Sequence, residues 1–184
     1  MSDRMAAEIW IGGKIPATLV PDLCAAIRTE GLATQWGDAP FKPTCAEELL
    51  AVSCECPQAP KRLLVWLCDD EQPWGEFEAL ESFLQEHNIP YDRYTDGRYE
   101  YDCELVQFRP GLGLQCCVTN KAGQPLVDRA EVAAVLTLLE RSQHARAVNK
   151  LRKLLSPTVP ALPSFAIETK APAKANPRRR RKRA

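Results

Sequence analysis

The sequence predicts an α/β fold bordering on α+β, with a mixed sheet of about five strands, helices packed on it and a disordered basic tail. Three observations carry this. Leu63-Leu64-Val65-Trp66-Leu67-Cys68 is a short continuous apolar run, the pattern of a strand buried on both faces. Segments on either side of it repeat apolar residues at helical spacing. Farther on, Leu112, Leu114, Cys116 and Val118 alternate as a half-buried strand does.

Glu8 to Ile15 reads as the first strand, with Gly12-Gly13 allowing a bend near its end. Thr18 can cap a helix to about Glu30 whose apolar stripe is Val20, Leu23, Cys24 and Ile27, with Gly31 as a left-handed stop. After a loop containing Trp36, Gly37, Pro40 and Pro43, Thr44-Cys45-Ala46-Glu47 has the spacing of a capping box for a short helix through Val52. Pro57-Gln58-Ala59-Pro60 breaks that helix. The apolar strand ends in Asp69-Asp70-Glu71, and Pro73 suits the first turn of a helix to about His87. Phe77, Leu80 and Leu84 form its inner stripe, and Asn88 can end it.

Asp96-Gly97 is a two-residue hairpin signal that would set Tyr94 opposite Tyr99, Arg93 opposite Glu100 and Asp92 opposite Tyr101. Asp128 and Glu131 open a helix through Val132, Val135, Leu136 and Leu139. Val148, Leu151 and Leu155 continue its spacing, which favours one long helix, gently broken at most near Ser142-Gln143. The first two strand-to-strand connections contain helices and are long enough for right-handed parallel crossovers, whereas the later strands join by tight turns. The expected organisation is an acidic globular domain over 1–155, a proline-rich extended strap over 156–168 and a disordered basic tail over 169–184.

A hydrophobic share of 45% excludes wholesale disorder. No apolar run is long enough to span a bilayer, and Met1-Ser2-Asp3-Arg4 lacks the apolar core of an export signal, so a cytoplasmic protein is expected, nuclear if eukaryotic. The formal charge is zero, from 24 basic and 24 acidic residues, yet the two signs are segregated. Residues 1–140 hold 11 basic and 23 acidic residues, and residues 141–184 hold 13 basic residues and one acid, Glu168.

Eight cysteines without an export signal read as reduced thiols. Cys54-Glu55-Cys56 and Cys116-Cys117 have the wrong spacing for zinc, so no zinc is expected. No G-x-S-x-G, Walker or dinucleotide-binding glycine motif is present.

Three features could carry function. Asp69, Asp70 and Glu71 end the most buried predicted strand, where clustered carboxylates could hold Mg²⁺, although acids preceding a helix also simply meet its dipole. Tyr91, Arg93, Tyr94, Arg98, Tyr99 and Tyr101 surround one hairpin with the composition of a partner-binding surface, and flanking acids favour protein over nucleic acid there. Tyrosine is also simply a good strand former. Lys170, Lys174, Arg178, Arg179, Arg180, Arg181, Lys182 and Arg183 form a basic tail suited to nucleic acid or another polyanion.

The reading that follows is a soluble, non-enzymatic binding or adaptor protein without cofactor. Its acidic body would engage a protein partner and its tail would contact nucleic acid nonspecifically, with no membrane involved. The alternative is a metal-dependent enzyme built on Asp69, Asp70 and Glu71. A third arrangement is internal: the 16 residues after Glu168 reach roughly 55 Å when extended, enough to lie back on the acidic body.

Overall fold

The computed structural model describes residues 3–57, 59–98, 102–155 and 159–168. Strand β1 (Arg4–Ile11) alternates strictly, burying Met5, Ala7, Ile9 and Ile11 on one face and turning Arg4, Ala6, Glu8 and Trp10 to the other. It is central in a six-stranded sheet of order β3-β4-β1-β5-β6-β7, where β3 is Ser53–Cys56, β4 Ala59–Pro73, β5 Tyr91–Thr95, β6 Cys103–Arg109 and β7 Gly113–Thr119. Every neighbouring pair in this sheet is antiparallel.

Helices α1 (Val20–Glu30) and α3 (Glu78–Glu86) pack together over the buried face, and α2 (Ala46–Ala51) adds Leu49 to the same core. Val20, Leu23, Cys24 and Ile27 of α1 and Leu80 and Leu84 of α3 meet Ile9, Ile11, Val65 and Leu67 there. Each such aliphatic side chain contributes roughly 1.5–3 kcal/mol by leaving water. Gly31 is left-handed (φ 71°) and ends α1, as its position predicts. Asn88 (φ 56°) ends α3 with a paired motif: its N–H reaches Gln85 O and that of Ile89 reaches Leu84 O.

The structure corrects several expectations. The sheet has six strands, and no parallel crossover joins β1 to β4. Ala59 and Pro60 open β4, which lies antiparallel to β3 and then antiparallel to β1. Strand β4 is also much longer than its apolar run. Asp69-Asp70-Glu71 lies inside it, because β1 continues alongside and Arg4 pairs with Pro73. Helix α3 accordingly starts after a turn at Trp74 (φ 57°) and Gly75 (φ 66°). Thr18 sits in a 3-10 turn, and the N-cap of α1 is Leu19. At α2 the capping contact runs from Thr44 to Glu48, not to Glu47.

The predicted two-residue hairpin at Asp96-Gly97 does not form. Tyr94 opposes Leu105, Arg93 opposes Val106 and Asp92 opposes Gln107. The β5–β6 connection is therefore residues 96–102, and Tyr99 and Tyr101 lie outside the described residues.

The long C-terminal helix is broken at Ser142-Gln143, where the sequence places a break, but the break is a sharp reversal rather than a gentle one. There are two helices, α4 (Arg129–Glu140) and α5 (His144–Leu155), which pack on each other through Val135 and Ala147. Ser142 takes a left-handed φ of 57°. Its N–H bonds Leu139 O, and that of Gln143 bonds Leu138 O, so the chain reverses and Glu131 meets Lys150 at 2.7 Å. Asp128 caps α4 by accepting from Ala130 N at 2.8 Å, where the sequence places a cap.

After α5, residues 159–165 form neither helix nor strand and are tied to the sheet end, where Gly13 N donates to Pro163 O and Phe165 N donates to Leu63 O. Leu162 is buried on one face against Leu64 and Cys56, and Phe165 enters the helix-side core. Strand β8 (Ala166–Glu168) then pairs parallel with β2 (Lys14–Pro16). Gly12 permits this crossing, since a Cβ there would stand 2.3 Å from Pro163 O.

Candidate functional site

The face of the sheet turned away from α1 and α3 carries the unusual chemistry. Two rows of side chains cross it. Trp66, Trp10, Asp92, Gln107 and Gln115 stand opposite one another in successive strands, and Cys68, Glu8, Tyr94, Leu105 and Cys117 form the next row. Direct opposition brings Cβ atoms to about 5 Å, so each row is a continuous contact surface.

Glu8 is the centre of this face. Trp10 Nε1 donates to its Oε1 at 3.2 Å, and Trp66 Nε1 donates to its Oε2 at 3.0 Å. The Trp10 and Trp66 rings lie 5.9 Å apart, and Trp36 from the loop after α1 meets Trp66 edge-on at 6.0 Å. That loop is held by Gly37 N donating to Asp70 Oδ2 at 2.8 Å and by the two-way pairing of Ala33 with Cys68. On the far side, the single Tyr94 hydroxyl proton is shared between Asp96 Oδ1 at 3.2 Å and Asn120 O at 3.3 Å. Burial first, then Cys103 and Asp96, push the Tyr94 hydroxyl well above its ordinary range, so it remains a donor.

Two adjoining cavities lie here. One, of 340 Å³, is lined among others by Glu8, Trp10, Asp92, Tyr94, Gln107 and Lys121. The second, of 230 Å³, is lined by Ala6, Glu8, Trp36, Asp70, Tyr94 and Asp96. Glu8 and Tyr94 wall both, so the two form one groove. Asp92 is neutralised by a two-pronged contact with Arg109, at 2.7 and 3.2 Å, and also accepts from Gln107. Glu8, Asp70 and Asp96 face Lys121 as the remaining charges, which leaves the groove acidic. Two cavities of 430 Å³ lie elsewhere, one between α4 and α5 beside Arg146, Lys150 and Lys153, the other beside Trp74 and Glu104. Neither combines several aromatic rings with a held carboxylate.

The structure does not bring the described members of the predicted tyrosine–arginine set, Tyr91, Arg93, Tyr94 and Arg98, together. Tyr91 is fully buried on the helix side, stacked on Phe108 at 5.8 Å. Arg93 is buried beside it: Nε lies 2.8 Å from Glu81 Oε1 without hydrogen-bond alignment, Nη2 lies 3.3 Å from Glu104, and Nη1 donates to Gly75 O and Thr95. Tyr94 faces the opposite way, into the groove. Arg98 is exposed and donates to Arg4 O at 2.6 Å.

Nor do Asp69, Asp70 and Glu71 converge. Asp69 accepts from Glu71 N, Asp70 turns to Gly37, and Arg4 donates to Glu71 O. Among the described residues no three His, Cys, Asp or Glu side chains are grouped to hold a metal ion. The eight basic residues from Lys170 to Arg183 lie outside the described residues.

The thiols are all free of disulfides. Burial raises Cys24, Cys54 and Cys117, pushes Cys116 up to about 11 with help from Glu104, and pushes Cys68 up to about 12. Nucleophilic thiols need the opposite displacement.

Sequence reasoning missed Glu8, Trp10, Trp36 and Trp66. The signal for Trp10 was present: it occupies the alternate register to Ile9 and Ile11. No helix among the described residues is long and apolar enough to cross a membrane. Compared with family models, curated proteins and solved structures, the chain matches none.

Proposed function

We propose that this chain is a non-enzymatic adaptor whose open sheet face binds a cationic segment of a protein partner, and whose basic C-terminal run contacts a polyanion. The observation that carries the reading is Glu8, fixed by two indole N–H groups between aromatic rings. A carboxylate offers about four lone-pair positions, so Glu8 keeps acceptor capacity after serving both indoles. Tryptophan faces attract cations by roughly 0.5–2 kcal/mol each, depending on desolvation. Arginine suits such a place better than lysine, because its planar guanidinium stacks and forks onto carboxylates. The acidity of the same groove opposes phosphate, which separates it from aromatic sheet surfaces that stack bases.

The test is tryptophan fluorescence during titration with a short arginine-bearing peptide and with its glutamate counterpart. The chain used carries serine in place of the six residues from Arg178 to Arg183. A saturable change with the arginine peptide alone is expected, with a dissociation constant of order 10–100 µM. No response would overturn the reading. For the tail, retention on heparin by the unaltered chain should exceed that of the serine-substituted chain and fall steeply with salt. Equal retention would remove the polyanion role.

A further inference from the structure

We propose that the groove's resident occupant is this chain's own basic run, Arg178 to Arg183, and that a polyanion captured by that run opens the groove. This rests on the cation-binding reading above and adds the occupant and its regulation.

Charge, tether and chemistry converge on it. Residues 1–140 hold 23 acidic against 11 basic residues, whereas after Glu168 every charge is positive. The strap passes beside the groove at Leu162, then crosses to the helix side, where β8 ends with Glu168 paired to Pro16. Leu162 packs with Cys56 and Trp10, both of which line the larger cavity. Arg109 fixes the strap by donating to Pro160 O at 2.6 Å, and Arg62 donates to Leu162 O. Arg109 is the same side chain that neutralises Asp92 in the groove wall. The 16 residues beyond Glu168 reach roughly 55 Å when extended. The basic run begins ten residues past Glu168, roughly 33 Å of extended chain, and ends fifteen past it, roughly 50 Å. A body of this size has a radius of gyration of about 15 Å, so the run reaches round the sheet edge to the groove.

The two halves of the groove suit a segment with several adjacent cations rather than a single ammonium. One half presents Trp10, the other Trp36, Asp70 and Asp96, with Glu8 and Tyr94 common to both. A tethered segment acts at an effective concentration of about a millimolar, which exceeds the dissociation constant expected for a free peptide. Polyanion and groove then compete for one segment. By linkage, whatever holds the tail away favours partner binding, and a bound partner frees the tail for the polyanion by the same factor.

The experiment compares the unaltered chain with the chain carrying serine at the six positions from Arg178 to Arg183. A labelled peptide of sequence Asn176 to Ala184 is titrated into each. The serine-substituted chain is expected to bind it at least tenfold more tightly, and Trp36→Ala in that background should weaken binding. Heparin should increase acrylamide quenching of tryptophan in the unaltered chain and leave the substituted chain unchanged. Equal peptide affinities, or heparin-independent quenching, would overturn the resident-tail proposal while leaving cation binding intact. Failure of the peptide to bind the substituted chain would bring down both readings. Binding insensitive to Trp36→Ala places the occupant elsewhere and also overturns the proposal. Weakening of peptide binding that grows with protein concentration assigns the occupancy to a second copy and overturns its within-chain form.

Discussion

Trp10 lies directly across from Trp66 in the β1–β4 ladder, with ring centroids 5.9 Å apart, and both indole N–H groups end on the carboxylate of Glu8. The carboxylate thus sets the orientation of two rings as well as the charge of the groove. Glu8→Gln leaves one indole N–H facing an amide NH2, since Trp10 and Trp66 donate to different carboxylate oxygens and the amide keeps only one. It should lower unfolding free energy by about 1 kcal/mol in urea titration and weaken arginine-peptide binding about tenfold. Unchanged binding would show that the groove's charge is irrelevant to its ligand.

Arg93 is the counterion of a buried carboxylate, and its removal should be severe. Arg93→Met leaves Glu81 without that partner and should cost about 3–5 kcal/mol near neutral pH. The sign of its pH dependence follows from Glu81. Burial raises that carboxyl, against the opposing pull of Arg93, Tyr91 and the Phe77 N–H. Losing Arg93 raises it further. Such a group stabilises fully below the unfolded value of about 4.3 and loses that contribution as pH rises through its folded value. The variant's deficit in urea denaturation should therefore be smaller at about pH 5 than at about pH 8.

Ser142 holds the left-handed position between α4 and α5, where a side chain is strained. Ser142→Gly should stabilise the chain by about 0.5–1 kcal/mol, raising Tm by a few degrees. Ser142→Val should do the reverse, because branching at Cβ is poorly tolerated at positive φ. A continuous helix through this point would give the opposite order.

Cys116 is exposed, yet its thiol stands 3.5 Å from Glu104 Oε1 and is pushed up to about 11. Its alkylation by iodoacetamide, followed by peptide mass mapping, should keep rising about tenfold per pH unit past pH 9, beyond the levelling point of an ordinary thiol. Glu104→Gln should bring that rise to lower pH. Levelling near pH 8.5 in the unaltered chain would contradict the local electrostatics.

What could be read from the sequence was local. Gly31 and Asn88 announce helix ends because positive φ is decided within a few residues. Asp128 announces a helix start for the same reason. Strand direction was hidden, since a connection long enough for a parallel crossover can equally pass through β3 and return antiparallel. Strand β3 itself, Ser-Cys-Glu-Cys, has no apolar rhythm and exists by pairing with Leu63 and Leu64. The Asp96-Gly97 signal lost to the register that places Arg93 beside Val106 and buries it. For the groove, Trp66 was concealed inside an apolar run, and only tertiary packing shows that its N–H reaches Glu8.

The parallel pairing of Ile15 with Ile167 has a consequence for the order of events during synthesis. One partner leaves the ribosome about 150 residues before the other. Phe165, which completes the helix-side core, also arrives only then. Contacts this distant in sequence close slowly and late. The nascent chain must therefore hold β1, α1 and their neighbours as an unfinished core, with Ile15 and its surroundings uncovered, until the strap emerges and seals it. A stop codon before Phe165 would release a body with nearly all its strands and no closure, the state most exposed to aggregation.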